Sequence, residues 1–379
     1  MSGREWDESD VRVRPNKRGT RPRTKDRPEH RDAVVGRVIT VDRGRYTTVV
    51  GEDTADERVV VAARARELRR TAIVPGDAVD LVGDVSGGAD ALARLVRIRE
   101  RRTVLRRSAD DTDPVERVVV ANADLLVIVT AAARPEPRTG FVDRALVAAY
   151  DAGISPVLCL TKADLADPAP FLANYAHLDL PVVISRTAGA DGFADVGTAD
   201  EDAAPGETAR EDAALDPDAI RALHELLDGR VSVLIGHSGV GKSTLVNALT
   251  AADRATGSVN DVTGRGRHTS SSALAIRLAD SDPGSWIIDT PGIRSFGLAH
   301  VSPDTLLRAF DDLEPGAEDC PRGCEHRRAE DGCELDAWVA AGGAGSAGPA
   351  RLASFRRLLG VGEAAQAGKE LGTADDAAP

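Results

Sequence analysis

Residues 236–243 read Gly-His-Ser-Gly-Val-Gly-Lys-Ser, which matches the pattern Gly-x-x-x-x-Gly-Lys-Ser/Thr of a phosphate-binding loop. The apolar run Val231–Ile235 predicts a strand before the loop, and Thr244–Leu249 begins a predicted helix after it. Glycines let backbone N–H groups face phosphates, and the helix N-terminus adds positive potential. We therefore expect a nucleoside triphosphate to be bound by Gly236, His237, Ser238, Gly239, Val240, Gly241, Lys242, Ser243 and Thr244.

A second apolar run, Trp286–Thr290, ends in the sequence Asp-Thr-Pro-Gly at 289–292. In this class of nucleotide site Lys242 reaches the terminal phosphates and Ser243 ligates Mg²⁺. Asp289 is expected to hold the same Mg²⁺, and the Gly292 N–H to sense the γ-phosphate. By itself the Asp-Thr-Pro-Gly sequence also fits an ordinary turn.

A polar, cationic loop lies between these two motifs, with the sequence Gly-Arg-Gly-Arg-His-Thr-Ser at 264–270. Its composition suits a switch segment in which Thr269 meets Mg²⁺ and the γ-phosphate. We predict that His268 positions or senses the attacking water. The alternative for His268 is a loop histidine that only contacts RNA or solvent.

The base of the nucleotide is predicted from Thr161-Lys162-Ala163-Asp164, which follows the apolar strand Val157–Leu160. This sequence resembles the Asn-Lys-x-Asp guanine motif, in which the aspartate accepts two hydrogen bonds from guanine and rejects adenine. Thr161 replaces the usual asparagine, so we expect one amide contact to be lost. Four residues of this kind also fit a turn that starts a helix, but two of only five lysines in the chain lie in this motif and in the phosphate loop.

Cysteine spacing near the C-terminus predicts a metal site, because three cysteines and a histidine lie within 14 residues. Three thiolates and one imidazole form a closed four-ligand zinc set, which is structural rather than catalytic. The ligands are Cys320, Cys324, His326 and Cys333. The alternative is a group of unrelated reduced cysteines.

The 379 residues are sufficient for two or three domains. No apolar run is long enough to cross a membrane and no signal peptide is present, so we expect a cytoplasmic protein. The formal charge is −13, but it is unevenly distributed. Nine basic residues face two acidic ones between residues 12 and 31, and ten acidic residues face one arginine between 191 and 218.

Five short Val-rich runs separated by turn signals predict a small β-barrel of the OB type over residues 33–100, with another small β-domain as the alternative. Residues 1–32 are predicted to be a disordered basic arm, either RNA-binding or merely solubilising. Continuous apolar strands alternating with helices predict an α/β domain over 101–300, interrupted by an acidic loop insertion at 188–215. Residues 301–362 are expected to form a small α-helical zinc domain, followed by a disordered tail at 363–379.

The order of the motifs is base motif, phosphate loop, switch loop and Asp-Thr-Pro-Gly. Together with the barrel ahead, the sequence Asp-Thr-Pro-Gly-Ile-Arg-Ser-Phe-Gly-Leu at 289–298 and the cysteine cluster behind, this order resembles the bacterial ribosome small-subunit-dependent GTPase A family, over about residues 33–360. The resemblance implies a circularly permuted P-loop GTPase domain between an OB-type barrel and a zinc domain. It also implies GTP or GDP with Mg²⁺, one structural Zn²⁺, and a monomer that binds the 30S ribosomal subunit and its 16S rRNA.

The resemblance further implies slow GTP hydrolysis, stimulated by the small subunit at a late maturation checkpoint. Ile293 stands where many GTPases place a glutamine that orients water, and isoleucine cannot hydrogen-bond to it. Basic residues at 97–107 and in the arm supply charge for RNA phosphates, whereas 3% aromatic residues disfavours base stacking. Two other interpretations remain open: an RNA-binding assembly scaffold for which GTP is a conformational ligand, and a P-loop ATPase.

Overall fold

The computed structural model describes residues 30–68, 71–107, 117–187, 215–250, 273–290, 298 and 301–360. The strands are β1 Val34–Asp42, β2 Arg45–Val50, β3 Arg58–Arg64, β4 Ala78–Gly83, β5 Ala93–Ile98, β6 Val104–Arg107, β7 Arg117–Ala121, β8 Leu125–Ala131, β9 Ser155–Thr161, β10 Val182–Ile184, β11 Val231–Ile235, β12 Leu274–Arg277 and β13 Trp286–Asp289. The helices are α1 Thr139–Ala152, α2 Ala169–Leu172, α3 Pro217–Leu227, α4 Lys242–Leu249, α5 Pro303–Leu307, α6 Leu335–Ala340 and α7 348–360.

The first five strands form a closed barrel in the order β1-β2-β3-β5-β4, because β4 also pairs with β1. Strands β3 and β5 are parallel, and the other pairs are antiparallel. Alternate residues point inwards and form a separate hydrophobic cluster, which includes Val38, Tyr46, Val60, Val79, Leu81 and Leu95. The structure thus confirms the five-stranded barrel that the sequence predicts.

The second half of the sheet has the order β10-β9-β8-β11-β13-β12, in which all strands except β12 are parallel. Strands β8 and β11 are buried along their whole length, and β9 is buried after Ser155, because helices cover both faces of the sheet. Helix α1 packs on one face, and α3 and α4 pack on the other. The carboxyl ends of β9, β11 and β13 therefore meet at one edge, where ligands of open parallel sheets bind.

The barrel and the α/β layer belong to a single eleven-stranded sheet, because β1 pairs with β12 at Thr40 and Leu274. Neither β12 nor the β6–β7 hairpin is predicted by the sequence analysis. Both consist of strands only four or five residues long, which are too short to show a clear apolar pattern. The acidic insertion at 188–215 also lies outside the described residues, apart from Leu215, which bridges to Thr187.

The C-terminal part packs on α1 through α5 and α7. Helix α5 ends at Leu307, and the chain then turns so that both Phe310 and Leu313 are buried. Arg357 of α7 pairs with the buried Asp143 of α1, with its Nη1 2.6 Å from each carboxylate oxygen. Among the described residues, no helix is long and apolar enough to cross a membrane.

Gly76 provides a test of how the barrel meets the rest of the chain. Its φ is +87°, and a Cβ there would lie 1.9 Å from the carbonyl oxygen of Ala121. Gly76→Ala should therefore destabilise the protein by more than about 3 kcal/mol, which denaturant unfolding would measure. Gly44→Ala is the matched control, because Gly44 has φ +82° but open space around it. It should cost only about 1–2 kcal/mol, and equal losses for both variants would contradict the clash.

Candidate functional site

The phosphate loop connects β11 to α4 at the carboxyl edge of the sheet. Gly239 and Gly241 have φ of +80° and +87°, which only glycine adopts without strain. A Cβ on Gly236 would lie 2.6 Å from the carbonyl oxygen of Val129, so the loop approaches β8 closely. Helix α4 begins directly after Gly241, and no side chain caps it. Its first N–H groups can therefore bind an anion.

A lysine and an aspartate meet at the base of this loop. Lys242 begins α4 and donates a hydrogen bond from Nζ to Oδ1 of Asp289, the last residue of β13. The two residues converge because Leu234, just before the loop, pairs with Asp289 across neighbouring parallel strands. Both side chains are largely buried. The arrangement places a cation and a carboxylate where a phosphate and its Mg²⁺ could be held.

The base motif is hydrogen-bonded to the phosphate loop. The Thr161 hydroxyl donates to the carbonyl oxygen of Val240 at 2.5 Å and lies 3.3 Å from that of Thr130. Lys162 Nζ donates to the carbonyl oxygens of Gly239 at 2.7 Å and Arg134 at 2.6 Å. Two consecutive loop carbonyls are thus held by two consecutive residues. Thr161 lacks the amide of the usual asparagine, but its hydroxyl makes a contact of its own with the loop.

Asp164 lies beside a segment that the sequence analysis does not single out. Its carboxylate accepts hydrogen bonds from the backbone N–H of Thr187 at 3.2 Å and from the Thr187 hydroxyl at 3.3 Å. Ser185 pairs with the motif through its backbone, accepting from Ala163 N–H and donating to Leu160. The available signal is positional: residues 185–187 follow the short apolar strand β10 and therefore reach the same edge of the sheet.

Several predicted site residues cannot be located in this way. His268, Thr269 and Gly292 lie outside the described residues, and so does Ile293. In the sequence, the nearest described residues are Ala273 and Thr290. The Thr290 hydroxyl donates to the carbonyl oxygen of Leu234 at 2.8 Å. The roles predicted for these four residues stay predictions.

The cysteine cluster near the C-terminus brings its four side chains together. The potential ligand atoms of Cys320, Cys324, His326 and Cys333 all lie within 4.8 Å of one another. His326 Nδ1 is 3.7 Å from the Cys320 sulfur and 3.8 Å from that of Cys333. A tetrahedral zinc site with bonds of about 2.3 Å to sulfur and about 2.0 Å to nitrogen separates such atoms by about 3.6 Å.

Surrounding groups also suit a bound metal. His326 Nε2 lies 3.3 Å from a carboxylate oxygen of Asp304, which can orient the ring for coordination through Nδ1. Backbone N–H groups of His326 and Glu334 donate to the sulfurs of Cys324 and Cys320. Burial raises the pKa of Cys333 to about 11, so metal binding at this site must release protons. The donor set thus fits a metal ion.

The fourth cysteine has a different environment. Cys159 is fully buried in β9, far in sequence from the cluster, and burial raises its pKa to about 12. A protonated thiol without solvent access is unreactive. Cys159 is therefore a core residue.

These observations define a class of protein. A phosphate loop follows the base motif in the chain, yet both meet at one edge of a parallel sheet, so the fold is that of a circularly permuted P-loop GTPase with a barrel ahead and a cysteine cluster behind. The family model described as RsgA GTPase matches residues 98–299. The chain belongs to the RsgA GTPase family, whose members hydrolyse GTP.

Individual relatives agree with this assignment. The Small ribosomal subunit biogenesis GTPase RsgA of Pseudomonas aeruginosa strain LESB58 is 38% identical over 290 residues, which cover 76% of this chain and 75% of the relative. The fold is similar to that of YjeQ from Thermotoga maritima, with a TM-score of 0.54, 22% identity, and coverage of 86% of this chain and 99% of that one. It is also similar to YloQ, a circularly permuted GTPase, with a TM-score of 0.54, 20% identity, and coverage of 87% and 96%.

The contact between Thr161 and the loop can be tested by removing one hydroxyl. Thr161→Val keeps the side-chain shape but leaves the buried carbonyl of Val240 without this donor, at a cost of about 1–2 kcal/mol. We expect GDP and GTP to bind roughly tenfold more weakly, measured by titration with a fluorescent GDP analogue.

Thr161→Ser is the matched variant, because it keeps the hydroxyl and loses only a methyl group. Its nucleotide affinity should stay within about twofold of the wild type. If the valine and serine variants bind equally well, the hydroxyl does not hold the loop.

Proposed function

We propose that this chain is a GTPase whose hydrolysis is stimulated by the small (30S) ribosomal subunit at a late stage of that subunit's maturation. The observation that supports this most directly is the 38% identity, over three quarters of both chains, to a small ribosomal subunit biogenesis GTPase. The described site supplies the nucleotide-binding half of the activity. The 30S subunit and its 16S rRNA are the proposed partners.

The phosphate end of the proposed site is formed by the loop 236–244. Backbone N–H groups of the loop and of α4 bind the phosphates, and Lys242 neutralises the terminal ones. Ser243 and Asp289 hold Mg²⁺, together with Thr269 of the switch loop. Mg²⁺ held by these residues would supply positive charge beside the phosphate oxygens.

The base end is formed by Asp164, whose carboxylate accepts hydrogen bonds from the N1–H and the exocyclic amine of guanine. Adenine offers a bare nitrogen at the first position and no amine at the second, so the same carboxylate rejects it. The contacts of Thr187 to Asp164 orient the carboxylate. Thr161 and Lys162 fix the position of the base end relative to the phosphate end through their hydrogen bonds to the loop.

Hydrolysis by the isolated chain should be slow for a physical reason. Ile293 cannot orient the attacking water, so that task falls to another group. We propose that His268 positions the water and becomes effective on the ribosomal subunit. Gly292 senses the γ-phosphate.

The remaining modules are proposed to contact RNA or to support the fold. The barrel at 33–100 and the arm at 1–32 bind rRNA, and the GTPase domain spans 101–300. Residues 301–362 form a helical domain held by one structural Zn²⁺ on Cys320, Cys324, His326 and Cys333. Residues 363–379 form a tail, and the acidic stretch at 188–215 is a loop insertion.

The basic segment at 97–107 contributes less RNA-binding charge than its composition suggests. Arg97 and Arg99 both pair with Asp80, Arg101 pairs with the fully buried Asp77, and Arg102 pairs with Asp124. Four of its six arginines therefore have carboxylate partners within the molecule, and these three carboxylates offset part of the segment's positive charge. The proposed phosphate contacts fall to the barrel surface and the arm rather than to this segment.

Stimulation by the ribosomal subunit is the deciding test. GTP turnover should rise by at least about tenfold when purified 30S subunits are added, because partner-supplied positioning typically accounts for several orders of magnitude. Equal concentrations of 50S subunits serve as the control, and Lys242→Ala reports contaminating activity.

The alternative is an RNA-binding assembly scaffold in which GTP is only a conformational ligand. That scaffold would bind 30S subunits in a GTP-dependent manner without faster hydrolysis. Unchanged turnover with tight subunit binding would therefore replace the proposal with the scaffold.

Guanine recognition by Asp164 is tested by replacing its carboxylate with an amide. Asp164→Asn puts an amide donor opposite the guanine donors, so GTP affinity should fall by roughly 100-fold, the cost of losing hydrogen bonds to a charged acceptor. Xanthosine triphosphate should gain relative affinity, because xanthine has a carbonyl oxygen where guanine has its amine. Competition binding with GTP, xanthosine triphosphate and ATP measures both effects. If GTP affinity is unchanged, or ATP competes equally with GTP, Asp164 does not read the base.

A further inference from the structure

An acidic turn, residues 51–57, connects β2 and β3 of the barrel. The Thr54 hydroxyl donates to the carbonyl oxygen of Gly51 at 2.6 Å, and the Asp53 N–H donates to the Glu57 carboxylate at 2.8 Å. Asp53 has a left-handed φ of +61°, and a Cβ on Gly51 would lie 2.8 Å from the backbone of the turn. The turn is therefore shaped by its own contacts, and it presents carboxylates on one side.

These carboxylates bind the β12–β13 hairpin of the GTPase domain. Arg277, the last residue of β12, donates from Nη1 to Asp53 at 2.7 Å and from Nη2 to Glu57 at 2.5 Å. The second oxygen of Asp53 accepts the N–H of Gly284, which lies in the connection between β12 and β13, at 2.9 Å. One turn of the barrel thus holds both a strand end and the loop that follows it.

The first residue of β13 is held by the same turn. The indole N–H of Trp286 donates to Glu52 at 2.6 Å, and the other oxygen of Glu52 accepts from Arg37 of β1 at 2.8 Å. The Arg277 guanidinium also stacks 4.6 Å from the centre of the Trp286 ring. Trp286 is 4% exposed, so these contacts fix a buried side chain.

A second attachment lies at the other end of the same strands. Thr40 of β1 pairs with Leu274 of β12, and Leu274 pairs with Asp289 of β13. The barrel therefore holds strands β12 and β13 at both of their ends. The acidic turn contacts the end that contains Trp286. At the other end, β1 pairs with β12, which in turn pairs with Asp289 of β13. Asp289 is also the residue that bonds Lys242 of the phosphate loop.

We propose that the barrel positions Asp289 through these two attachments, so that the acidic turn and the nucleotide site are energetically coupled. Glu52, Asp53 and Arg277 are positioning residues in this scheme and do not touch the nucleotide. Because a packed β-ladder deforms little, a displacement of the turn shifts β13 as a unit. By linkage, a nucleotide that binds at Asp289 stabilises the turn to the same degree. The inference rests on the proposed role of Asp289 at the nucleotide site.

Hydrogen–deuterium exchange of the full-length protein tests the coupling, with and without Mg²⁺ and a non-hydrolysable GTP analogue. Nucleotide should slow exchange in the phosphate loop and α4, and also slow exchange of the turn 51–57 by about fivefold, the lower range of typical allosteric coupling. Arg277→Gln should abolish the effect at the turn while the loop stays protected. Arg277→Lys, which keeps the charge, should restore part of it.

Arg221→Gln is the matched control, because Arg221 forms an exposed ion pair with Asp218 of its own helix, α3. It should leave the nucleotide effect at the turn unchanged. The coupling is overturned if nucleotide slows exchange in the phosphate loop of the wild type but not in the turn. It is also overturned if nucleotide still slows exchange of the turn in the Arg277→Gln variant. Absence of protection in both the loop and the turn would instead contradict the proposed nucleotide site.

Discussion

The hydrogen bond from the Thr161 hydroxyl to the Val240 carbonyl joins the two halves of the nucleotide site. It exists because β8 lies between β9 and β11, so the ends of these two strands face each other across one strand. A P-loop site requires neighbouring strand ends, and it is indifferent to the order in which the chain supplies them. The permuted motif order therefore leaves the chemistry of the edge unchanged.

Most of this architecture can be predicted from the sequence, because burial imposes simple patterns of apolar residues on strands and helices. Strands such as β8 and β11 are continuous apolar runs, and the barrel strands alternate around glycine and proline turns. The phosphate loop and the cysteine cluster each carry their chemistry within one short segment of the sequence. Each of these features is local, and local patterns survive without knowledge of the fold.

Features that depend on long-range contacts could not be predicted in the same way. Thr187 meets Asp164 only because β10 adds to the sheet beside β9. The pairing of Thr40 with Leu274 joins residues more than two hundred positions apart, and nothing in either short segment indicates its partner. The contact of Thr161 with the loop was missed for a related reason. From the sequence, replacing asparagine by threonine only removes an amide, and the Val240 carbonyl that accepts the threonine hydroxyl is apparent only in the structure.

The charge available for binding RNA also depends on long-range contacts, and composition alone does not reveal it. The arginines at 97–107 form a dense basic segment in the sequence, yet three of them pair with Asp77 and Asp80 of the barrel in the structure. Burying Asp77 without a partner would cost several kcal/mol, so Arg101 is required there by the fold. A surface basic residue can bind RNA phosphates only if no buried carboxylate already requires it. The same reasoning applies to Arg277, whose two carboxylate partners commit it to the barrel and make it a connection between modules rather than an RNA ligand.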